Sequence, residues 1–281
     1  MVNSEKRKVV IRLKGGFGNQ LHQLSLALYL RDVIGYEVAI DDYSGYVSDD
    51  FGRVSMFDEV NDILNLNKIH NFYLRNYFIK IFKFLSLFLN ITIFNWKYKV
   101  ENINQSLNCL VGNMSGKELH NIFLEGYWLQ NSFNFKRNLV SLYNFKKQGI
   151  FQSLNSMVLV IHFRADRFSE ILPFDYFMKM VKKHLDITQI SSILIFSDSE
   201  KVFQLKDHLI QLIPSCPTVD VDLFDYKPTI LLELILTYKY FIPSLGTFSY
   251  WASAFGSERV VYLPIEFAEV INLSPSNKYI L

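Results

Sequence analysis

Lys14-Gly15-Gly16-Phe17-Gly18-Asn19-Gln20 follows the short β-branched run Val9-Val10-Ile11-Arg12-Leu13 and leads into Leu21, Leu24 and Leu28 at helical spacing. This order predicts a strand, a glycine turn and a helix capped at Asn19. Gly35 supplies a stop for that helix. Tyr36-Glu37-Val38-Ala39-Ile40, ending at Asp41-Asp42, reads as a second strand and completes a βαβ unit. Glycines at 15, 16 and 18 permit positive φ and a close approach of ligand to backbone. The helix that follows points its amides and dipole at the turn. The turn therefore serves equally well as an anion site or as a plain tight connection. A dinucleotide fingerprint counted from Gly16 reaches Leu21 where a third glycine belongs. That speaks against a nicotinamide-dependent oxidoreductase, although Asp41 stands near the ribose-binding distance. No Gly-Lys-Ser/Thr follows, which excludes a Walker-type loop.

Beyond this unit, Ile122 to Trp128 reads as a strand ending in a polar and aromatic corner. The second half then alternates regularly. Strands are expected at Val158–Phe163, Ile193–Phe196, Thr218–Val221, Phe241–Pro243 and Arg259–Leu263. The helices between them begin near Pro173, Ser199, Pro228 and Tyr250. Such alternation predicts an α/β protein with parallel sheets covered on both faces. The expected architecture is two Rossmann-like lobes facing across a cleft, 1–145 and 146–281. The polar stretch 134–156 is the candidate link.

Composition narrows the function classes. The chain has 281 residues, 50% hydrophobic, with 29 basic and 27 acidic residues and a net charge of +2. A large core is available, and general nucleic-acid binding lacks its basic face. Cys109 and Cys216 stand far apart, with the spacing of neither a disulfide framework nor a zinc site. No secretion signal is evident at the polar N-terminus, so a reduced cytoplasmic setting is expected. Tyr77 to Phe94 approaches the ~18–20 apolar residues of a membrane span, but Lys80, Lys83 and Asn90 interrupt it. A covering helix with snorkelling lysines fits it best, and peripheral contact with an anionic membrane surface is the second reading.

Four expected strand ends carry chemistry. Besides the glycine turn, Ile161-His162-Phe163-Arg164-Ala165-Asp166-Arg167 places a histidine and arginines where an α/β sheet binds its ligands. Arginine grips phosphate bidentately. His162 alone reads as a satisfied core histidine, but Arg164 alternates in phase with it. In Phe196-Ser197-Asp198-Ser199, Asp198 is either an acceptor for guanine or ribose or a helix cap. Pro243-Ser244-Leu245-Gly246-Thr247-Phe248-Ser249-Tyr250-Trp251 forms a second amide-rich cradle, with simple capping by Thr247 or Ser249 as the plainer reading.

Three blocks in this order resemble glycosyltransferase family 11, the bacterial alpha-1,2-fucosyltransferases. They are Gly15 to Leu28, Val160 to Phe168 and Pro243 to Phe255; Phe196 to Ser199 and Glu125 to Gln130 fit weaker signatures. The resemblance implies a GT-B-type fold, GDP-fucose as donor substrate, and inverting transfer to a galactose 2-hydroxyl, with no metal or other cofactor. It implies that Arg164 holds the diphosphate and that His162 and Asp198 lie near the guanosine. It also implies that Thr247, Phe248 and Ser249 enclose the phosphates, with Gly16, Gly18 and Asn19 beside the sugar phosphate. Ala165 stands where the family has a second arginine, and Arg167 is then the shifted source of positive charge. Asp166, His22 and Glu125 are the candidate bases. The implied acceptor is a galactose-containing surface glycan or lipid-linked oligosaccharide, met at the cytoplasmic face of the membrane. A transferase using another nucleotide sugar and a non-catalytic binding homologue are the alternatives.

Overall fold

The computed structural model describes residues 8–47, 49–69, 81, 84–85, 96–100, 121–127, 133–164, 172–186, 189–213, 218–223 and 226–280. The chain divides into two compact units, Met1–Leu142 and Tyr143–Leu281.

In the first unit β1 (Lys8–Arg12) leads through the glycine turn into α1 (Phe17–Asp32) and then β2 (Glu37–Asp41), the expected βαβ unit. Helix α1 starts earlier than expected. Gly16 is its N-cap, Gln20 N–H donates to Gly16 O at 3.1 Å, and Asn19 sits inside the first turn. Twelve of its residues are buried, the polar Gln20, His22, Gln23 and Ser25 among them, so it is covered nearly all round. Gly35, at φ +84°, turns the chain out of the helix as expected. After α2 (Phe57–Leu64) come β3 (Asn67–Lys68), β4 (Trp96–Val100) and β5 (Asn121–Glu125), and the parallel sheet runs β3-β2-β1-β5-β4. The chain adds β2 and β3 on one side of β1 and β4 and β5 on the other, so the switch point lies between β1 and β5.

The stretch 134–156, expected as a link, is ordered secondary structure. It forms α3 (Phe133–Lys146), the 3-10 segment Gln148–Ser153 and the start of β6 (Asn155–Phe163). Two of its polar residues bond distant positions. Asn144 pairs with Gly256 through both its amide atoms, and Lys147 Nζ bonds Glu233 at 2.5 Å.

In the second unit β6 is followed by α4 (Phe174–Leu185), β7 (Ser192–Ser197), α5 (Val202–Leu212), β8 (Thr218–Leu223), α6 (Pro228–Leu236), β9 (Tyr238–Ile242), α7 (Thr247–Ala254), β10 (Val260–Tyr262), the 3-10 segment Ile265–Asn272 and β11 (Lys278–Ile280). All pairings are parallel, in the order β8-β7-β6-β9-β10-β11. That is the doubly wound Rossmann order, with its switch point between β6 and β9. Leu159, Val160, Ile161 and Phe163 of β6, with Phe241 and Ile242 of β9, form the buried centre of the sheet. These runs are apolar without alternation because helices cover both faces.

The segment 77–94 falls largely outside the described residues, as do Cys109, Cys216, Trp128, Ala165, Asp166 and Arg167. Among the described residues no helix is long and apolar enough to cross a membrane, and no group of three or more His, Cys, Asp or Glu side chains is arranged to hold a metal.

Candidate functional site

The second unit gathers three of the four expected strand ends on the carboxyl edge of one sheet. Strand β6 ends in His162 and Phe163, with Arg164 next; β7 ends at Ser197, with Asp198 next; β9 ends at Ile242 and passes through Pro243–Gly246 into α7. β6 and β9 are neighbours at the switch point, where open α/β sheets bind ligands at their strand ends. Arg164 Nε lies 3.5 Å from Asp198 Oδ2, both half-exposed. Asp198 does not cap α5. That helix begins after Lys201, whose N–H is met by Ser199 Oγ at 3.3 Å.

His162 is held from below. Its Nδ1 shares a hydrogen bond of 2.6 Å with Ser249 Oγ, Ser244 Oγ lies 3.5 Å from the same nitrogen, and the two hydroxyls are 3.2 Å apart. All three residues are buried, and the Phe248 ring lies 5.1 Å from the imidazole. Burial, with the Arg164 charge as a smaller cause, lowers the His162 pKa to about 3, so the ring is neutral at pH 7. Ser249 lies in the first turn of α7, past the capping position, and its hydroxyl is turned to His162. Gly246, at φ +123°, is the N-cap of α7 and, lacking a side chain, leaves it without a side-chain cap. A glycine is required there because that φ is in the left-handed half of the map. An arginine fork, a carboxylate and the uncapped start of a helix thus meet at one sheet edge, an arrangement suited to a phosphorylated nucleoside.

In the first unit the glycine turn is tightly built in. Gly15 has φ +80°, and a Cβ there would stand 2.8 Å from Asn19 Nδ2 and 2.9 Å from Tyr127 Cε1. Gln20 donates to Gly15 O and Val54 O and accepts from Met56 N–H at 2.8 Å, tying the turn to the loop after β2. Gln23 bonds Lys14 and Gly126 main-chain atoms. Arg12 stands opposite Glu125 in the β1–β5 register, and Glu125 receives both Arg12 Nη1 at 3.1 Å and Lys14 Nζ at 3.3 Å. Gly16 and Gly18 open α1, with Asn19 against Gly15. His22, expected as a candidate base, is only 3% exposed on α1. Burial first, then the Lys136 charge, holds its imidazole well below the usual range and neutral.

The chain resembles Arabidopsis thaliana FUT1, a mutant solved with GDP, at a TM-score of 0.56 and 10% identity over 94% of this chain and 72% of that one. Its fold is that of the GT-B glycosyltransferases. It also superposes on NodZ alpha-1,6-fucosyltransferase co-crystallized with GDP, at a TM-score of 0.48 and 14% identity over 90% of this chain and 93% of that one. The Escherichia coli heptosyltransferase WaaC with ADP follows at 0.46 and 9%, over 97% and 92%. The fold assignment rests on the FUT1 likeness. No protein-family profile and no curated protein sequence matches the chain.

Sequence reasoning placed His162, Arg164, Asp198, Thr247, Phe248 and Ser249 on a common edge, and the structure brings them there. It missed Ser244, whose hydroxyl joins the His162–Ser249 pair. It also missed the sharing of Glu125 between Arg12 and Lys14. The alternation of Arg12 and Lys14 beside an apolar strand was the available signal for that.

Proposed function

We propose that this protein is an inverting glycosyltransferase that moves L-fucose from GDP-fucose to the 2-hydroxyl of a galactose in a surface glycan. The observation that carries the reading is the meeting of Arg164, Asp198 and the uncapped start of α7 at the β6/β9 switch point. The GT-B fold and the three sequence blocks in family order support it. In the transfer the acceptor oxygen forms a bond to the sugar carbon on the face opposite GDP. The bond from that carbon to the diphosphate oxygen breaks, and the electron pair leaves with the diphosphate. Arg164 and the amides of Thr247–Ser249 take up that charge. Such fixed electrostatic stabilisation is commonly the largest catalytic term. Neutral His162 and Asp198 serve the guanosine, the carboxylate accepting from guanine or ribose.

A base must take the acceptor proton. His22 is buried and Glu125 is engaged by two cations, which favours Asp166, with Arg167 adding charge at the diphosphate. Gly16, Gly18 and Asn19 shape the acceptor side. The reading needs no metal or cofactor. The lipid-linked or galactose-containing acceptor places the work at the cytoplasmic face of the membrane, with residues 77–94 as the peripheral contact.

Arg164→Ala tests the assignment. The variant is expected to keep its circular dichroism spectrum and thermal midpoint while GDP release from GDP-fucose disappears, and near-normal turnover refutes it. The same assay run over other nucleotide sugars and a galactoside panel decides between GDP-fucose and another donor.

A further inference from the structure

Arg259 is 0% exposed, lies just before β10, and sits on the edge of the sheet opposite the candidate site. Among the described residues its guanidinium meets main-chain carbonyls instead of carboxylates. Nη1 donates to Ala252 O at 2.7 Å and Phe255 O at 3.2 Å, Nη2 to Ile235 O at 3.4 Å, and Nε to Tyr238 O at 3.1 Å. Ala252 and Phe255 are at the end of α7, Ile235 is at the end of α6, and Tyr238 opens β9 between them. The last carbonyls of a helix have no partner inside it, and a helix C-terminus carries negative partial charge. One buried cation therefore closes two helix ends at once. Room for it is reserved: Gly256 has φ +92°, and a Cβ there would stand 2.7 Å from Arg259 Cδ. The Arg259 amide is fixed by Asn277 Oδ1 at 3.0 Å, and the Phe241 ring lies 5.2 Å from the guanidinium.

Helix α7 has eight residues and is about 12 Å long at 1.5 Å per residue. Its far end supplies Ser249 to His162 and the first-turn amides to the site. A shift of so short a helix along its axis, anchored at one end by Arg259, moves the other end by the same amount. Burying an arginine for capping alone is costly, and apolar residues fill such space more cheaply. We infer that Arg259 is a positioning residue, setting the axial position of α7 and hence the geometry of the nucleotide cradle from the opposite edge of the sheet. This rests on the reading that the start of α7 binds a diphosphate.

The test is Arg259→Lys, in which a point charge replaces the fork and reaches fewer carbonyls. Gly256→Ala, which displaces the stem without removing it, is the second variant should the first fail to fold. Leu209→Ala, in the α5 layer, is the control for loss of stability. Two readouts are taken where each protein is fully folded: the nitrogen resonances of the His162 ring without ligand, and the Kd for GDP by calorimetry. The expected result is a moved His162 resonance and a Kd raised about tenfold in the position-259 or position-256 variant, with neither change in the control. Unchanged His162 resonances in a folded variant overturn the inference. Failure of the wild-type protein to bind GDP sinks the nucleotide reading instead, and the His162 resonances then decide the positioning role by themselves.

Discussion

Ser249→Ala removes one hydroxyl and leaves a buried imidazole nitrogen to find another partner. Ser249 is 1% and His162 2% exposed, and their 2.6 Å bond is closed to water. Leaving a buried polar atom unmade costs about 1–3 kcal/mol. Ser244 Oγ, 3.5 Å from the same nitrogen, recovers part of this by turning towards it. The expected loss in unfolding free energy is therefore about 1–2 kcal/mol, measured by urea denaturation at pH 7. Ser244→Ala alone costs less, about 0.5–1 kcal/mol, because the Ser249–His162 bond survives it. The double variant costs more than the sum, since the substitute partner is then gone. A coupling of at least about 0.5 kcal/mol is expected in that cycle. If His162 lies beside the guanosine as proposed, the Kd for GDP is expected to rise about tenfold in Ser249→Ala, because the ring is released. A cost below about 0.3 kcal/mol with additive single effects refutes the argument that Ser249 is committed to His162.

Two further outcomes follow from the same structure. His162, His184 and His22 are buried and neutral, with pKa values of about 3, about 4 and well below 6.5 respectively, burial being the first cause in each. Below pH 6.5 the unfolded chain binds protons that the folded chain refuses, so stability is full above that pH and falls as pH drops towards 4. His162 and His184 each contribute about 2 kcal/mol of loss by pH 5, and His22 acts in the same direction; equal urea midpoints at pH 5 and 7 contradict this. Gly45→Ala places a Cβ 1.8 Å from Leu13 O, a main-chain atom that must move. It is expected to destabilise the protein by about 1–3 kcal/mol in denaturant unfolding, and a neutral result shows that the loop after β2 yields freely.

The alternation of strands and helices in the second half was legible because apolar runs, prolines and capping residues agree with one another there. The helix start at Gly16 was missed by reading Asn19 as a cap; the left-handed Gly15 turns the chain earlier than side-chain capping suggests. Trp96–Val100 carries period-two alternation but was not read as a strand, because the surrounding residues 50–120 look irregular, and the three-residue β11 leaves no such pattern. Stretch 134–156 holds the boundary between the two units, at Leu142/Tyr143, but its helical structure and the distant bonds of Asn144 and Lys147 are not revealed by composition. Arg259 was illegible for the same reason: a charge before a short apolar strand reads as solvated, and only the convergence of two helix ends explains its burial. At the site, residue types at strand ends were enough to assemble the second-unit cluster. The role of His22 was not legible, since a histidine on a helix shows no exposure in sequence.

The edge formed by Arg164, Asp198 and the start of α7 is proposed to receive a guanosine diphosphate. Calorimetric titration of the wild-type protein with GDP, UDP and ADP in parallel measures it most directly. Saturable GDP binding at least about tenfold tighter than UDP or ADP, and lost in Arg164→Ala, is the predicted result. Equal affinity for all three, or GDP binding that Arg164→Ala leaves intact, contradicts it.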